Sequence, residues 1–216
     1  MVIAIDGPAG AGKSTVARGV ARALGFTYLD SGAMYRAVAL AALDRGADLD
    51  DGERLGELAW ALEIGFEHDT VTLDGRKIGG QIRTPEVTIA ASHVSVHPQV
   101  RQAMVKRQRE LIAAGNYVAE GRDIGTVVSP DSPLKVFLTA SEQERARRRA
   151  SETGESVGEV REAIEARDQR DSTRVHGALR AADDSIEVDT TDLDADQVVD
   201  RIVELARDRG LGQRLR

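Results

Sequence analysis

Eight consecutive residues, Gly7-Pro8-Ala9-Gly10-Ala11-Gly12-Lys13-Ser14, match the pattern G-x-x-x-x-G-K-[ST] in full. Glycines at these positions let the backbone curl so that several N–H groups point inward at phosphate oxygens. A helix starting near Lys13 adds its positive end. Lys13 supplies a point charge between β- and γ-phosphates, and Ser14, followed by Thr15, a hydroxyl ligand for Mg²⁺. The motif implies a bound nucleoside triphosphate and leaves the reaction open. None of the four lysines sits in an Asn-Lys-x-Asp guanine-reading motif, which argues against a GTPase. Glu120 closes the run Tyr117-Val118-Ala119; it is either a carboxylate acting through Mg²⁺-bound water or a solvated strand-end glutamate.

Other loops carry arginine. Leu29-Asp30-Ser31-Gly32-Ala33-Met34-Tyr35-Arg36 follows a short strand, with Ser31 the expected helix cap and Arg36 in the early turns. Glu120-Gly121-Arg122-Asp123 follows another strand, and Glu165–Arg174 brings Arg167, Arg170 and Arg174. Transfer between two phosphates needs little acid–base machinery, because a phosphate monoester is already largely ionised (second pKa about 6). It needs cations that hold two polyanions in line and absorb charge in the transition state. Arginine loops at the carboxyl edge of a parallel sheet suit that task.

The segments Gly7–Thr15, Leu29–Arg36, Ile82–Val87, Val100-Arg101, Gly121–Val128 and Arg167–Arg174 together resemble the bacterial cytidylate kinases, within the nucleoside monophosphate kinase family. The resemblance runs over essentially the whole chain. It implies ATP and Mg²⁺, with CMP and dCMP as acceptors. It further implies that Ser92, Arg101 and Asp123 read the cytosine edge, and that Arg36, Arg122 and Arg174 hold the acceptor phosphate. Arg167 and Asp171 would meet the ribose, and Ser31 and Tyr35 would line the pocket. The residue types make sense: a carboxylate accepts from cytosine's exocyclic amine, and a guanidinium donates to its carbonyl. Lys13, Arg122, Arg167 and Arg174 are the expected catalytic set. Two rival readings remain at this stage: a kinase of the same fold acting on UMP, AMP or a non-nucleotide alcohol, and a module that senses ATP without turning it over.

These residues must be positioned by elements. Apolar Val2–Asp6, the glycine loop and the helical spacing of Val16, Val20 and Leu24 read strand–turn–helix. Further strands are expected at Phe26–Leu29, Tyr117–Ala119, Leu134–Leu138 and Ile186–Val188, alternating with helices. Asp74-Gly75, flanked by Val71–Leu73 and Arg76–Ile78, signals a two-residue hairpin. The expected fold is α/β: a three-layer α/β/α phosphate-loop kinase with a parallel central sheet. A single kinase domain spans 1–216, with core at about 1–35, 115–140 and 180–216. An acceptor-binding insertion with the hairpin takes about 36–114, and a helical lid about 141–176. In the lid, Ser141 caps a helix carrying Arg145, Arg148 and Arg149 at i, i+3, i+4 spacing; Arg148 is the arginine expected to reach ATP.

Composition bounds the rest. At 216 residues, 41% apolar and 30% charged, the chain suits one soluble domain. A net charge of −7 argues against nucleic-acid binding, and no cysteine is present to form a disulfide or bind metal. No apolar run reaches the ~20 residues of a membrane span and no leader pattern opens the chain, so a cytoplasmic monomer is expected. His68, His93, His97 and His176 lack metal-site spacing, and Trp60 is expected in the core.

Overall fold

The computed structural model describes residues 1–67 and 69–212, so His68 lies outside the described residues. The chain divides into two compact units, one formed by Met1–Leu29 with the chain from Ile112 onward, the other by Asp30–Leu111.

The first unit is built on five strands: β1 (Val2–Asp6), β2 (Thr27–Asp30), β6 (Tyr117–Gly121), β7 (Leu134–Thr139) and β8 (Ile186–Asp189). Their order in the sheet is β2-β6-β1-β7-β8, which puts β1 at the centre. β1 pairs in parallel with β6 and β7, and β7 in parallel with β8. Ile3, Ile5, Val118, Leu134, Val136 and Leu138 are buried between helical layers, which explains why these strands read as unbroken apolar runs.

Helix α1 (Lys13–Leu24) turns Val16, Ala17, Val20, Ala21 and Leu24 inward and ends at Gly25 in the left-handed conformation. α8 (Ala195–Asp208) lies beside it, started by a capping box between Asp194 and Gln197. The two approach closely at Gly19, where an added Cβ would stand 2.5 Å from Val199 Cγ2. α6 (Glu142–Thr153), capped by Ser141, stops at left-handed Gly154, and Ser156 caps α7 (Val157–Thr173). The stretch that separates these two helices is therefore a C-cap followed by an N-cap.

The second unit holds α2 (Ser31–Asp44), α3 (Gly52–Ala61), α4 (Pro85–Val94) and α5 (Pro98–Ala113). Its sheet has three antiparallel strands, β3 (Ile64–Glu67), β4 (Thr70–Leu73) and β5 (Arg76–Lys77). Asp74 at φ 49° and Gly75 at φ 75° make the expected tight turn. β3 was not expected; Gly65 at its centre and Glu67 at its end hide a strand by pattern alone. α2 is buried around most of its circumference by Ala33, Met34, Ala37, Val38, Ala39, Ala41 and Ala42, and packs chiefly on α4.

The cap of α2 and the place of Trp60 differ from what the sequence led one to expect. Asp30, not Ser31, caps α2: its carboxylate accepts from the Ala33 N–H at 2.8 Å, while Ser31 is the buried first helical residue. Trp60 is 43% exposed, with the Lys106 ammonium 5.1 Å from its ring centre. It sits on the outer face of α3, whose inner face is already filled by Leu55, Leu58 and Ala59.

Gly19→Ala is expected to destabilise the protein despite the ~1 kcal/mol that alanine gains over glycine in a helix, because overpacking costs roughly 1–3 kcal/mol. Urea unfolding should show the double variant with Val199→Ala to be more stable than the sum of the single changes.

Candidate active site

β1 delivers the chain into the loop at Gly7, where φ is 151° and a Cβ would lie 2.2 Å from the Leu138 carbonyl oxygen. No other residue fits there. Gly12, at φ 84°, caps α1, and the first turn of that helix carries no acidic side chain to compete for its positive end. Lys13 is buried and folds back so that Nζ donates to the Pro8 carbonyl at 2.6 Å. Burial above all, then the cations of Arg122 and Arg167, pull its pKa down to about 7, against the opposing pull of Glu120 and Asp168. Ser14 and Thr15 are exposed in the same turn.

The central strand also organises the arginine loop after β6. Asp6, the last residue of β1, accepts from the Ile124 N–H at 2.9 Å and the Gly125 N–H at 2.7 Å. Burial pushes its pKa up to about 6, with the two N–H groups opposing. Arg122 and buried Asp123 stand just before this anchored turn. Arg122 Nε donates to Asp171 Oδ2 at 2.8 Å, and Arg174 donates to Asp171 Oδ1. Burial would raise the Asp171 pKa, but Arg122, Arg174 and Arg167 outweigh it and hold the group below the usual carboxylate range. Both oxygens of the residue expected at a ribose thus receive arginines, which aims the guanidinium groups rather than leaving them to water.

Glu120 is buried, so the reading of a solvated strand-end glutamate is overturned; Tyr28 donates its hydroxyl to Glu120 Oε1 at 2.5 Å. The three arginines of α6 part company. Arg145 turns inward to the phosphate loop, and Arg149 faces out with Glu152. Arg148 stands by the loop, 3.7 Å from the place of a Cβ on Gly12, and donates to Glu144 Oε1 and to Thr190 Oγ1.

Within the second unit, α2 and α4 bring another group together. Tyr35 receives the Arg101 guanidinium over its ring at 5.5 Å, and buried Arg101 also donates to the Ser95 carbonyl. Ser92 is buried on α4. Arg36 stands one turn into α2, 3.9 Å from Asp30. Sequence reasoning did not single out Asp6, Tyr28, Asp168 or, as an inward-turned group, Arg145. Asp6 carried a signal, a carboxylate at the end of an apolar strand directly before the glycine loop. Asp168 is one charge in a run of charges and gave none.

A glycine loop closed by a buried lysine between β1 and α1, on a parallel sheet flanked by helices, defines a phosphate-loop kinase. Solved structures agree on the fold. A gluconokinase from Sinorhizobium meliloti superposes with TM-score 0.52 at 17% identity, covering 97% of this chain and 93% of that one. A shikimate kinase from Bacteroides thetaiotaomicron does so with TM-score 0.50 at 15% identity, covering 96% and 98%. The family model for cytidylate kinase matches residues 3–208. The cytidylate kinase of Solibacter usitatus is 48% identical over 97% of this chain and 93% of its own length. That of Exiguobacterium sibiricum is 49% identical over 94% and 96%. The chain belongs to the cytidylate kinase family.

The lowered pKa of Lys13 makes triphosphate binding proton-linked. At pH 8, above about 7, the free protein holds Lys13 mostly neutral, and a bound anion restores its charge. Binding should then take up about one proton. Calorimetry of ATP-analogue binding at pH 8 in buffers of different ionisation enthalpy should show this uptake, and Lys13→Met should abolish it. The same shift makes the group's contribution to stability rise between pH 7 and 10.5, where the unfolded chain keeps a proton that the folded one has released.

Proposed function

We propose that the protein catalyses Mg²⁺-dependent transfer of the γ-phosphoryl group of ATP to CMP and dCMP, giving ADP and the diphosphate. The observation that carries the transfer reading is the meeting of Lys13 with Arg122 and Arg167 in one electrostatic neighbourhood. A donor-phosphate lysine has no need of half-buried arginines beside it unless a second anion, or the charge of a transferring group, is to be held there. Family membership supports the choice of acceptor.

In this reading residues 7–15 cradle the triphosphate by backbone N–H groups and Arg148 borders the loop at Gly12. Lys13 balances the charge that builds on the transferring oxygens, and Arg122, Arg167 and Arg174 hold the acceptor phosphate in line. Asp171 fixes the guanidinium planes of Arg122 and Arg174 before substrate arrives, so little reorganisation is left for the reaction. Asp123, Ser92 and Arg101 recognise cytosine; Ser31 and Tyr35 line the pocket, and Arg167 with Asp171 borders the ribose. Uracil presents a carbonyl where cytosine has its amine, and would set an acceptor against the Asp123 carboxylate.

The residues fit Mg²⁺ as a phosphate-borne ion. Ser14 offers one exposed hydroxyl at the helix start, and the described residues hold no cluster of three His, Asp or Glu that would cage an ion. When bound, Mg²⁺ neutralises charge on the phosphate oxygens. We further propose that residues of about 36–114 bind the acceptor and that α6 and α7, about 141–176, act as a lid excluding water. The protein would work as a cytoplasmic monomer on free nucleotides; no described helix is long and apolar enough to cross a membrane.

Coupled assays of ADP release with CMP, dCMP, UMP and AMP test the proposal. CMP and dCMP should exceed UMP and AMP by at least about tenfold in kcat/KM. Faster turnover of AMP or UMP would sink the acceptor assignment, and silence with every acceptor would favour an ATP-sensing role. Arg122→Ala should lower kcat/KM for CMP by about a hundredfold or more.

A further inference from the structure

The helices α6 and α7 grip the phosphate loop at one residue, Ala9. The Ala9 N–H donates to Asp168 Oδ1 at 3.0 Å, and the Ala9 carbonyl accepts from Arg145 Nη1 at 3.0 Å. Arg145 also pairs with the other Asp168 oxygen, closing a ring of three groups from the loop, α6 and α7. Arg145 is buried and donates by Nε to the Ala140 carbonyl, so its guanidinium has a fixed orientation. Under the ring lies a small apolar cluster of Ala9, Ala146, Ala150, Val160 and Ile164. At Gly10, next along, a Cβ would stand 2.9 Å from the Arg145 carbonyl oxygen. The first half of the loop cannot shift without carrying both helices.

Asp168 and Asp171 are three residues apart on α7 and so share a face. Asp168 holds the loop, and Asp171 holds Arg122 and Arg174. One short stretch of helix therefore ties the triphosphate-binding backbone to the arginines of the second anion.

We propose that Asp168, oriented by Arg145, is a positioning residue that couples occupancy of the phosphate loop to the setting of Arg122 and Arg174. The idea rests on the phosphoryl-transfer reading above, since it gives the two anions their separate places. Coupling of this kind is reciprocal: a bound acceptor must tighten the donor by the factor by which the donor tightens the acceptor.

The test measures affinity for β,γ-methylene-ATP with and without saturating CMP, together with steady-state kinetics. In the unaltered protein CMP should tighten the analogue by about fivefold or more. In Asp168→Ala that factor should fall close to one and kcat by about tenfold, with affinity for CMP alone kept within about twofold. Arg145→Lys, which keeps the charge but loses the fork, should give an intermediate factor. Asp168→Asn, which keeps an acceptor for the Ala9 N–H and loses the charge, serves if the alanine variant is unstable. Amide exchange over Gly7–Gly12 in the nucleotide-free protein should quicken about tenfold in Asp168→Ala and less in Asp168→Asn, whatever the acceptor.

Unchanged coupling and kcat in a folded Asp168 variant would overturn the inference. So would equal losses of donor and CMP affinity, which mark general loosening. An unaltered protein that phosphorylates CMP without any coupling overturns the inference and leaves the function standing. One that phosphorylates no acceptor overturns the function, while amide exchange still tests the grip on Ala9.

Discussion

Asp6 ends the central strand, and its carboxylate reaches sideways to receive two N–H groups from the turn after β6. The glycine loop departs from the next residue, and Arg122 and Asp123 sit just before the turn it anchors. The distance between these two loops is thus set by one side chain and by the parallel register Asp6↔Gly121. Keeping a carboxylate there is costly. Its pKa rises from the ordinary 3.8 to about 6, so this group's contribution to stability is fully present below the ordinary value and is lost as pH rises through 6. At neutral pH the fold retains the ionised anchor against that trend, which identifies geometry as its purpose.

The same logic recurs around it. Three of the site's guanidinium groups are faced by carboxylates: Arg122 and Arg174 by Asp171, Arg145 by Asp168. Removing one partner of such a pair leaves a charge stranded in a low dielectric and typically costs about 3–5 kcal/mol, although intact pairs add little net stability. The region is therefore held in one arrangement more firmly than it is stabilised. A site that must meet two polyanions with pre-aimed donors gains from that rigidity.

Much of this was legible in the sequence, for reasons that differ by element. Gly7–Ser14 is readable because its chemistry is backbone chemistry, and glycine spacing reports backbone directly. The parallel strands are readable because burial on both faces leaves apolar runs. The turn at Asp74-Gly75 shows because few residues tolerate two successive left-handed conformations. What escaped was decided by tertiary neighbours. Helical spacing aligns Arg145, Arg148 and Arg149, yet the loop at Ala9, Thr190 and solvent divide them among three environments. Trp60 looks like core until α3 proves to have only one buried face, and Asp30 and Ser31 are both competent caps, so backbone entry alone chose between them.

The alanine-rich middle of α2 limits how this protein can change. Ala37, Ala39, Ala41 and Ala42 are all buried, so each methylene added there must displace a packed atom. Among its residues only Gly32, Arg36, Leu43 and Asp44 are not buried, so freedom for larger side chains lies at the two ends of the helix. Change in this helix is thereby channelled into a few positions at its ends, with the buried middle serving as an inextensible rod between them.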